Sequence, residues 1–238
     1  MLKELELPLF APSARPTDFA SELRDFDEFG TRTAVAAATS SDGQTTLPAF
    51  VNEFWTAGQR AADNLHEVSY RACFKPQLPR FFIERLTAPG EVVYDPFMGR
   101  GTTLLEASLL RRVPFGNDIN PLSLMLIKPR LHPPLLGEVA ARLKQIPFDR
   151  KTELWEELLV FYHPETLAAI ASLRAYLMER AAAGKLDGSD EWLRMVAVNR
   201  LTGHSPGFFS VYTLPPNQAV SIKSQLKINA DRKQVPPP

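Results

Sequence analysis

The sequence predicts an α/β fold organised around a strand, a glycine turn and a helix. Three observations carry it. Glu91-Val92-Val93-Tyr94 reads as the end of a buried strand, Gly99 and Gly101 follow with one residue between them, and helical periodicity runs from about Thr102 to Arg111. A second apolar run, Val113-Pro114-Phe115-Gly116, supplies a second strand, and the long stretch after it is helical in pattern.

Glycines at such a turn let the backbone approach a ligand where a Cβ would clash. The neighbours narrow the ligand. A phosphate-binding loop would end in Gly-Lys-Ser/Thr, and the dinucleotide fingerprint needs a third glycine where this chain has Leu104. Asp95 at the strand end would repel a pyrophosphate and attract a cationic amino group. Asp118, 23 positions later, follows the second strand, where an acid can accept bonds from ribose hydroxyls. The pair points to a nucleoside with a cationic tail, a description that S-adenosylmethionine fits.

Asp95-Pro96-Phe97-Met98-Gly99-Arg100-Gly101-Thr102-Thr103 resembles the cofactor-binding motif of DNA amino-methyltransferases, which methylate adenine N6 or cytosine N4. Two flanking stretches agree: Phe74-Lys75-Pro76-Gln77-Leu78-Pro79 is similar to the segment these enzymes place beside the methionine end of the cofactor, and Gly116-Asn117-Asp118-Ile119-Asn120-Pro121 looks like their second acidic motif. The resemblance covers roughly residues 66 to 131. It implies a partial Rossmann-like, S-adenosylmethionine-dependent methyltransferase fold with a helical insertion. It also implies a cofactor site of Phe74, Lys75, Asp95, Pro96, Phe97, Gly99, Gly101, Thr102, Thr103 and Asp118. In that site Asp95 and the glycines hold the methionine moiety, Asp118 holds the ribose, and Phe74 and Lys75 close the pocket. DNA is the implied partner and restriction-modification the implied setting.

The 238 residues, 45% hydrophobic and 23% charged, suffice for one sizeable core and a smaller appendage. Lys plus Arg and Asp plus Glu balance at 27 each, so net charge is silent about nucleic acid, since a local basic groove can hide in a neutral total. The single cysteine, Cys73, excludes an internal disulfide and suits a reducing compartment. No apolar run reaches the length of a membrane span, and the expected location is cytoplasmic.

Four regions are expected. Residues 1–47, with an apolar Leu5 to Phe10 and a polar Thr39–Thr46, read as a flexible arm. Residues 48–131 form the cofactor-binding α/β part, opening on an amphipathic helix from Pro48 to about Leu65. A second helix carries Phe81, Phe82, Ile83 and Leu86, with Pro79 in its first turn and Pro89-Gly90 after its end. The connector before it, with Tyr70, Phe74 and Lys75, forms either one pocket wall or only a link. Thr103 and Glu106 have the spacing of a capping box, which gives both a purely structural role beside any ligand contact. Pro121 starts a further helix. Residues 132–201 read as a helical insertion, with segments to Ile146, Thr152 to Phe161, Pro164 to Ala183 and Asp190 to Leu201; in relatives such an insertion often grips the duplex. Residues 202–238 read as a Pro- and Lys-rich tail whose Lys223, Lys227, Arg232 and Lys233 either meet phosphates or form a solvated face.

The chemistry of methyl transfer is missing from the sequence. The target base must be flipped out, stacked on an aromatic ring, and its amine held by acceptors. DNA amino-methyltransferases use Asp, Asn or Ser, then Pro-Pro, then an aromatic residue. Here Leu214-Pro215-Pro216-Asn217 comes nearest, but leucine cannot accept a bond and asparagine cannot stack. Only two strands of the sheet are legible, those leading to Asp95 and Asp118. The catalytic residues are therefore expected beyond this sequence, on a continuation or a companion chain; the alternative is an inactive cofactor-binding or accessory module. His66, His132, His163 and His204 have no paired ligand spacing, so no metal is expected, and no Gly-x-Ser-x-Gly elbow marks a hydrolase.

Overall fold

In the computed structural model, residues 18–56, 62–68, 70, 73–149, 153–203, 206–213 and 220–237 are described. Leu5 to Phe10, the Leu214-Pro215-Pro216-Asn217 stretch and the middle of the helix expected after Pro48 lie outside them. The chain divides into two compact units, one made of Met1–His66 and Phe74–Asn117, the other of Glu67–Cys73 and Asp118–Pro238.

The first unit begins with α1 (Phe19–Asp25), capped by Asp18, whose Oδ1 accepts from the Ser21 N–H at 3.1 Å. An antiparallel hairpin follows, β1 (Ala34–Thr39) against β2 (Thr46–Val51), with Ala34 opposite Val51 and Thr39 opposite Thr46. Both findings correct the expectation of a flexible arm for residues 18–47, and the second corrects the helix expected from Pro48. The polar Ser40–Thr45 stretch is a hairpin loop: Gly43 takes φ +70°, and Asp42 Oδ1 accepts from the Gln44 N–H. Pro48 is tolerated because a two-stranded ribbon has only edge strands. The apolar residues after it follow a helical period, but cross-strand pairing decides the local structure. Asn52 ties down the foot of the hairpin, its Nδ2 donating to Phe26 O at 2.9 Å and Thr31 O at 3.0 Å. Of the expected helix only a single 3-10 turn, Asn64–His66, is found among the described residues.

The helix α2 (Gln77–Leu86) carries Pro79 in its first turn. Its Phe81 packs with Phe26, Phe54 and Trp55 at centroid separations of 5.6 to 6.0 Å, and the Arg85 guanidinium lies 3.9 Å over the Phe81 ring. Then come β3 (Val92–Asp95), α3 (Thr102–Leu109) and β4 (Val113–Gly116). The two strands are parallel, with Val92 beside Val113 and Asp95 beside Gly116, so α3 is a β-α-β crossover. It buries Leu104, Leu105 and Ala107, the last two at 1% and 0% exposure.

The second unit is helical. Its α4 (Pro121–Leu131) starts where Asn120 Oδ1 accepts from the Leu122 N–H at 3.0 Å, with Pro121 at the first helical position. Leu126 joins Val68 and Met195 in a small core flanked by Tyr70, Leu122 and Trp192. After α5 (Leu136–Leu143), the segment expected to be helical from Thr152 is a 3-10 turn, Glu156–Val160. The long helix α6 (Pro164–Ala182) buries Leu167 and Leu177, as its stripe implies, and α7 (Gly188–Arg200) opens on an Asp187/Asp190 capping box. The residues from 202 onward are not a plain tail, because α8 (Ile222–Arg232) closes the chain. Gln225, fully buried, donates to Tyr212 O at 2.9 Å, Asn229 donates to Val160 O at 2.8 Å, and Arg232 stacks 3.6 Å over Tyr212. These polar anchors escape a periodicity reading because they are not apolar. Arg232 is thereby engaged, and Lys223, Lys227 and Lys233 remain as exposed cations.

Asp190, 0% exposed, is the polar centre of this unit. Its two oxygens take Arg142 Nη1 at 2.5 Å and Arg180 Nε at 2.7 Å, while Arg142 Nη2 reaches the half-exposed Asp187 at 2.6 Å. Partial burial pushes the Asp187 carboxyl up, but the Asp190 N–H and the two guanidiniums outweigh it and hold the group below its ordinary 3.8. A carboxyl lowered in this way adds stability above its unfolded pKa, and that stability is lost as pH falls through the folded value. Asp190→Ala, which strands two guanidiniums, is expected to cost about 3 kcal/mol in denaturant unfolding. Asp187→Asn, at a solvent-screened pair, is expected to cost about 1 kcal/mol or less at neutral pH, the difference from the parent chain closing below pH 3.8.

Candidate functional site: the turn between the first parallel strand and its crossover helix

The turn is built from backbone constraints. Asp95 ends β3, and its Oδ1 accepts from the Phe97 N–H at 3.0 Å, which bends the chain off the strand. Gly99 and Gly101 take φ +51° and +81°, the left-handed region that side chains with a Cβ rarely adopt. The Gly101 N–H closes the bend on Met98 O at 2.6 Å, and the Met98 N–H donates to Asn117 O at 3.0 Å, tying the turn to the end of β4.

Gly101 is itself the N-cap of α3, and no side chain caps this end. Thr103 is therefore the second helical residue and not the cap. That corrects the capping-box reading of Thr103 and Glu106. Glu106 instead turns into the interior at 2% exposure, where its Oε1 meets His66 Nε2 at 2.7 Å, with Arg80 Nη1 at 3.6 Å from its other oxygen. His66 is buried too, and its carbonyl accepts from Arg100 Nη1 at 3.3 Å, while Arg100 Nε donates to Thr102 Oγ1 at 3.1 Å. Arg100, Thr102, Glu106 and His66 thus brace the glycine turn from behind. Sequence reasoning missed this brace, although an acid inside the apolar run Leu104-Leu105-Glu106-Ala107 signals a paired buried charge.

Gly116 is a packing glycine: a Cβ there would come within 2.5 Å of Leu104 Cδ2 and 2.7 Å of Met98 Sδ. This absence of a side chain lets the turn and α3 settle against β4.

The expected site residues fall at four places. Asp95, Pro96, Phe97, Gly99, Gly101, Thr102 and Thr103 lie together on the turn, with Phe97 87% exposed, Pro96 exposed, Gly101 and Thr102 buried, and the rest half-buried. Phe74 and Thr103 share an apolar groove of about 430 Å³ with Leu78, Phe82 and Leu86 of α2 and Val92 of β3. Lys75 is exposed, and its carbonyl takes the Leu78 N–H at 3.1 Å in the turn leading into α2. Asp118 opens the second unit, half-buried, with Oδ1 accepting from the Asn120 N–H at 2.8 Å.

The donor set can be tested against S-adenosylmethionine. A carboxylate at the strand end, left-handed glycines and an uncapped helix start suit a ligand with an amino acid end and do not suit a phosphate, which would face Asp95. The residues present fit the group. Among the described residues there is no cluster of three or more His, Cys, Asp or Glu placed to hold a metal ion, and no helix long and apolar enough to cross a membrane.

Comparison with known proteins gives a likeness over part of the chain. Residues 29–128 match the family model described as DNA methylase. That segment is similar to DNA methylases. The match runs from just before the hairpin, upstream of the motifs legible in sequence, to within α4. The chain is 32% identical over 97 residues to the Type II methyltransferase M.MvaI of Kocuria varians, covering 40% of this chain and 20% of that protein. It is 36% identical over 62 residues to the Type II methyltransferase M.MjaII of Methanocaldococcus jannaschii, covering 26% of this chain and 12% of that protein. The aligned stretch therefore spans a fifth or less of these relatives. No solved structure matches the chain.

Two substitutions probe the glycine turn through stability. His66→Ala leaves Glu106 buried without its hydrogen-bond partner and is expected to cost about 1 to 3 kcal/mol in denaturant unfolding. Gly116→Ala forces Leu104 or Met98 aside and is expected to cost a similar amount, about 1 to 3 kcal/mol.

Proposed function

We propose that this chain is the S-adenosylmethionine-binding part of a site-specific DNA methyltransferase acting on the exocyclic amine of adenine (N6) or cytosine (N4). The observation that carries the reading is the methylase-family turn itself, with Asp95 at the strand end beside two left-handed glycines. β3, α3 and β4 are the first part of a Rossmann-like sheet, whose ligands bind at the carboxyl ends of the strands, where Asp95 stands.

In this reading the Asp95 carboxylate and the turn amides hold the amino acid end, Asp118 accepts from the ribose hydroxyls, and Phe74 and Lys75 close over the methionine side. The cofactor supplies an electrophilic methyl on its sulfonium. The brace behind the turn has a positioning role: it fixes α3 so that the backbone N–H groups keep their aim without paying reorganisation at binding. DNA is the partner, the setting is restriction-modification as for the Type II relatives, and the cytoplasm is where both meet. The helices of residues 132–201 and the exposed Lys223, Lys227 and Lys233 are assigned to backbone contact with the duplex.

A specific observation also favours a division of labour. The sequence holds no acceptor-Pro-Pro-aromatic stretch, so the groups that would stack the flipped base and take the amine proton come from a continuation or companion chain. By itself the chain binds cofactor and transfers nothing.

Calorimetric titration of the chain with S-adenosylmethionine tests both parts. Saturable binding is expected, weakened about tenfold or more by Asp95→Asn or Asp118→Asn, which remove charge while keeping an oxygen for the turn N–H groups. No methyl transfer to DNA is expected from the same sample. A folded chain that binds no cofactor would overturn the assignment.

A further inference from the structure

Within the second unit, α6 and α7 turn apolar stripes towards a cavity of about 350 Å³. Leu173 and Leu177 line it from α6, Ala197 and Val198 from α7, and Met125 of α4 and Phe209 complete the walls. Stripes spaced by three and four let helices interdigitate, but here they bound a space at the lower end of the range for small-ligand sites, about 300 to 1,000 Å³. Two guanidiniums, Arg174 and Arg194, enter this apolar lining, and no carboxylate does. The Arg194 Nε is fully enclosed and has no hydrogen-bond partner among the described residues. A guanidinium cannot shed its charge, so an enclosed N–H without an acceptor carries the whole desolvation penalty of that group. Arg180, on the same helix as Arg174, shows the contrast: its Nε lies 2.7 Å from the Asp190 carboxylate. Arg174 is exposed, its guanidinium 5.2 Å over the Trp155 ring, and Met178 beside it is 54% exposed, so the cavity opens to solvent on this side.

We propose that this cavity binds a small apolar carboxylic acid, of the size of a medium-chain fatty acid, with its carboxylate on the Arg194 Nε–H and its hydrocarbon against the two stripes. The ligand class follows from the donors. The lining residues of α6 and α7 lie beyond the first helical turn, where backbone N–H groups are already bonded within the helix, so Arg174 and Arg194 supply the donors. A phosphate brings three strong acceptor oxygens, too many for one enclosed N–H among apolar walls. An amine would face two cations, and a neutral hydrocarbon would leave the Arg194 Nε without an acceptor. A carboxylate is planar and matches the edge of a guanidinium, and an apolar body matches the rest of the lining. The cavity uses none of the residues assigned to S-adenosylmethionine, so it stands apart from the methyltransferase reading.

Sodium octanoate is the probe, and 1-octanol, which keeps the hydrocarbon without the charge, is the control. The full chain is labelled with carbon-13 at its methionine methyls, so that Met125 and Met178 report from the cavity wall and Met98 from the first unit. Titration with octanoate is expected to move the Met125 and Met178 NMR signals saturably, with a Kd of roughly 0.1 to 1 mM, and to leave Met98 in place. Octanol is expected to bind about tenfold or more weakly. Arg194→Met, which keeps a long apolar stem, is expected to bring octanoate down to the affinity of octanol and to leave octanol unchanged. Ala197→Phe, which fills the cavity and keeps Arg194, is expected to abolish binding of both. The proposal is overturned if the folded chain shows no saturable movement of Met125 and Met178, if acid and alcohol bind equally, or if Arg194→Met leaves octanoate affinity unchanged. Should Arg194→Met fail to fold, the octanol comparison and Ala197→Phe decide, because octanoate that still binds the filled cavity also overturns it.

Discussion

The first unit depends on the crossover helix α3. Two parallel strands cannot be joined by a tight turn, so the connection must leave the sheet, run back over one face and re-enter beside the first strand. Here that is done with eight helical residues, and nearly every one facing the strands is buried. The cost is concentrated at the two junctions. At the start, Gly99 and Gly101 supply left-handed backbone, and at the far strand Gly116 gives up its side chain so that Leu104 and Met98 can fill the space. The same constraint shapes the turn: the strand reverses into the helix over six residues, and Asp95 starts the bend by accepting from the Phe97 N–H.

Polar burial does different work in the two units. In the first, the His66–Glu106 contact ties a 3-10 turn to α3, and Arg100 joins the glycine turn to the same point through the His66 carbonyl. Such a contact is geometrically selective, because a misplaced α3 would leave a carboxylate buried without a donor. In the second, Asp190 gathers one arginine from α5 and one from α6 onto the start of α7, fixing three helices through one carboxylate. Replacing either centre with well-packed apolar groups need not cost stability, whereas removing one partner does. Both are read here as devices of position more than of net stability.

How much of this was legible in the sequence follows from the kind of signal each element emits. The strand-turn-helix core was legible because alternation, glycines and a 3.6 period fall in succession, and β3, α3 and β4 lie within a residue or two of their expected limits. The hairpin was not, because its strands face solvent and carry little apolar alternation: every β1 residue is exposed. Its loop, Ser40-Ser41-Asp42-Gly43, was a usable turn signal that the helical spacing after Pro48 overrode. Helix α8 escaped notice because it is held by Gln225 and Asn229 amides and an arginine stacked on Tyr212, none of which leaves a periodic apolar trace. Within the site, the turn residues were legible from chemistry, while Glu106 was assigned to the wrong task, since spacing alone cannot separate an outward-facing cap from an inward-facing acid.

The limits of the family match carry their own argument. Similarity to DNA methylases holds from the hairpin to α4 and stops at residue 128, before α5, α6 and α7 begin. A cofactor is the same molecule in every enzyme that uses it, so the turn that meets it is constrained in backbone angle and in charge. A DNA target differs from one site-specific enzyme to the next, and the elements that read it have no common ligand to hold them alike. Helices α5, α6 and α7 lie beyond that likeness, and the Asp190 brace holds one arginine from α5 and one from α6 on the start of α7 through a single buried carboxylate.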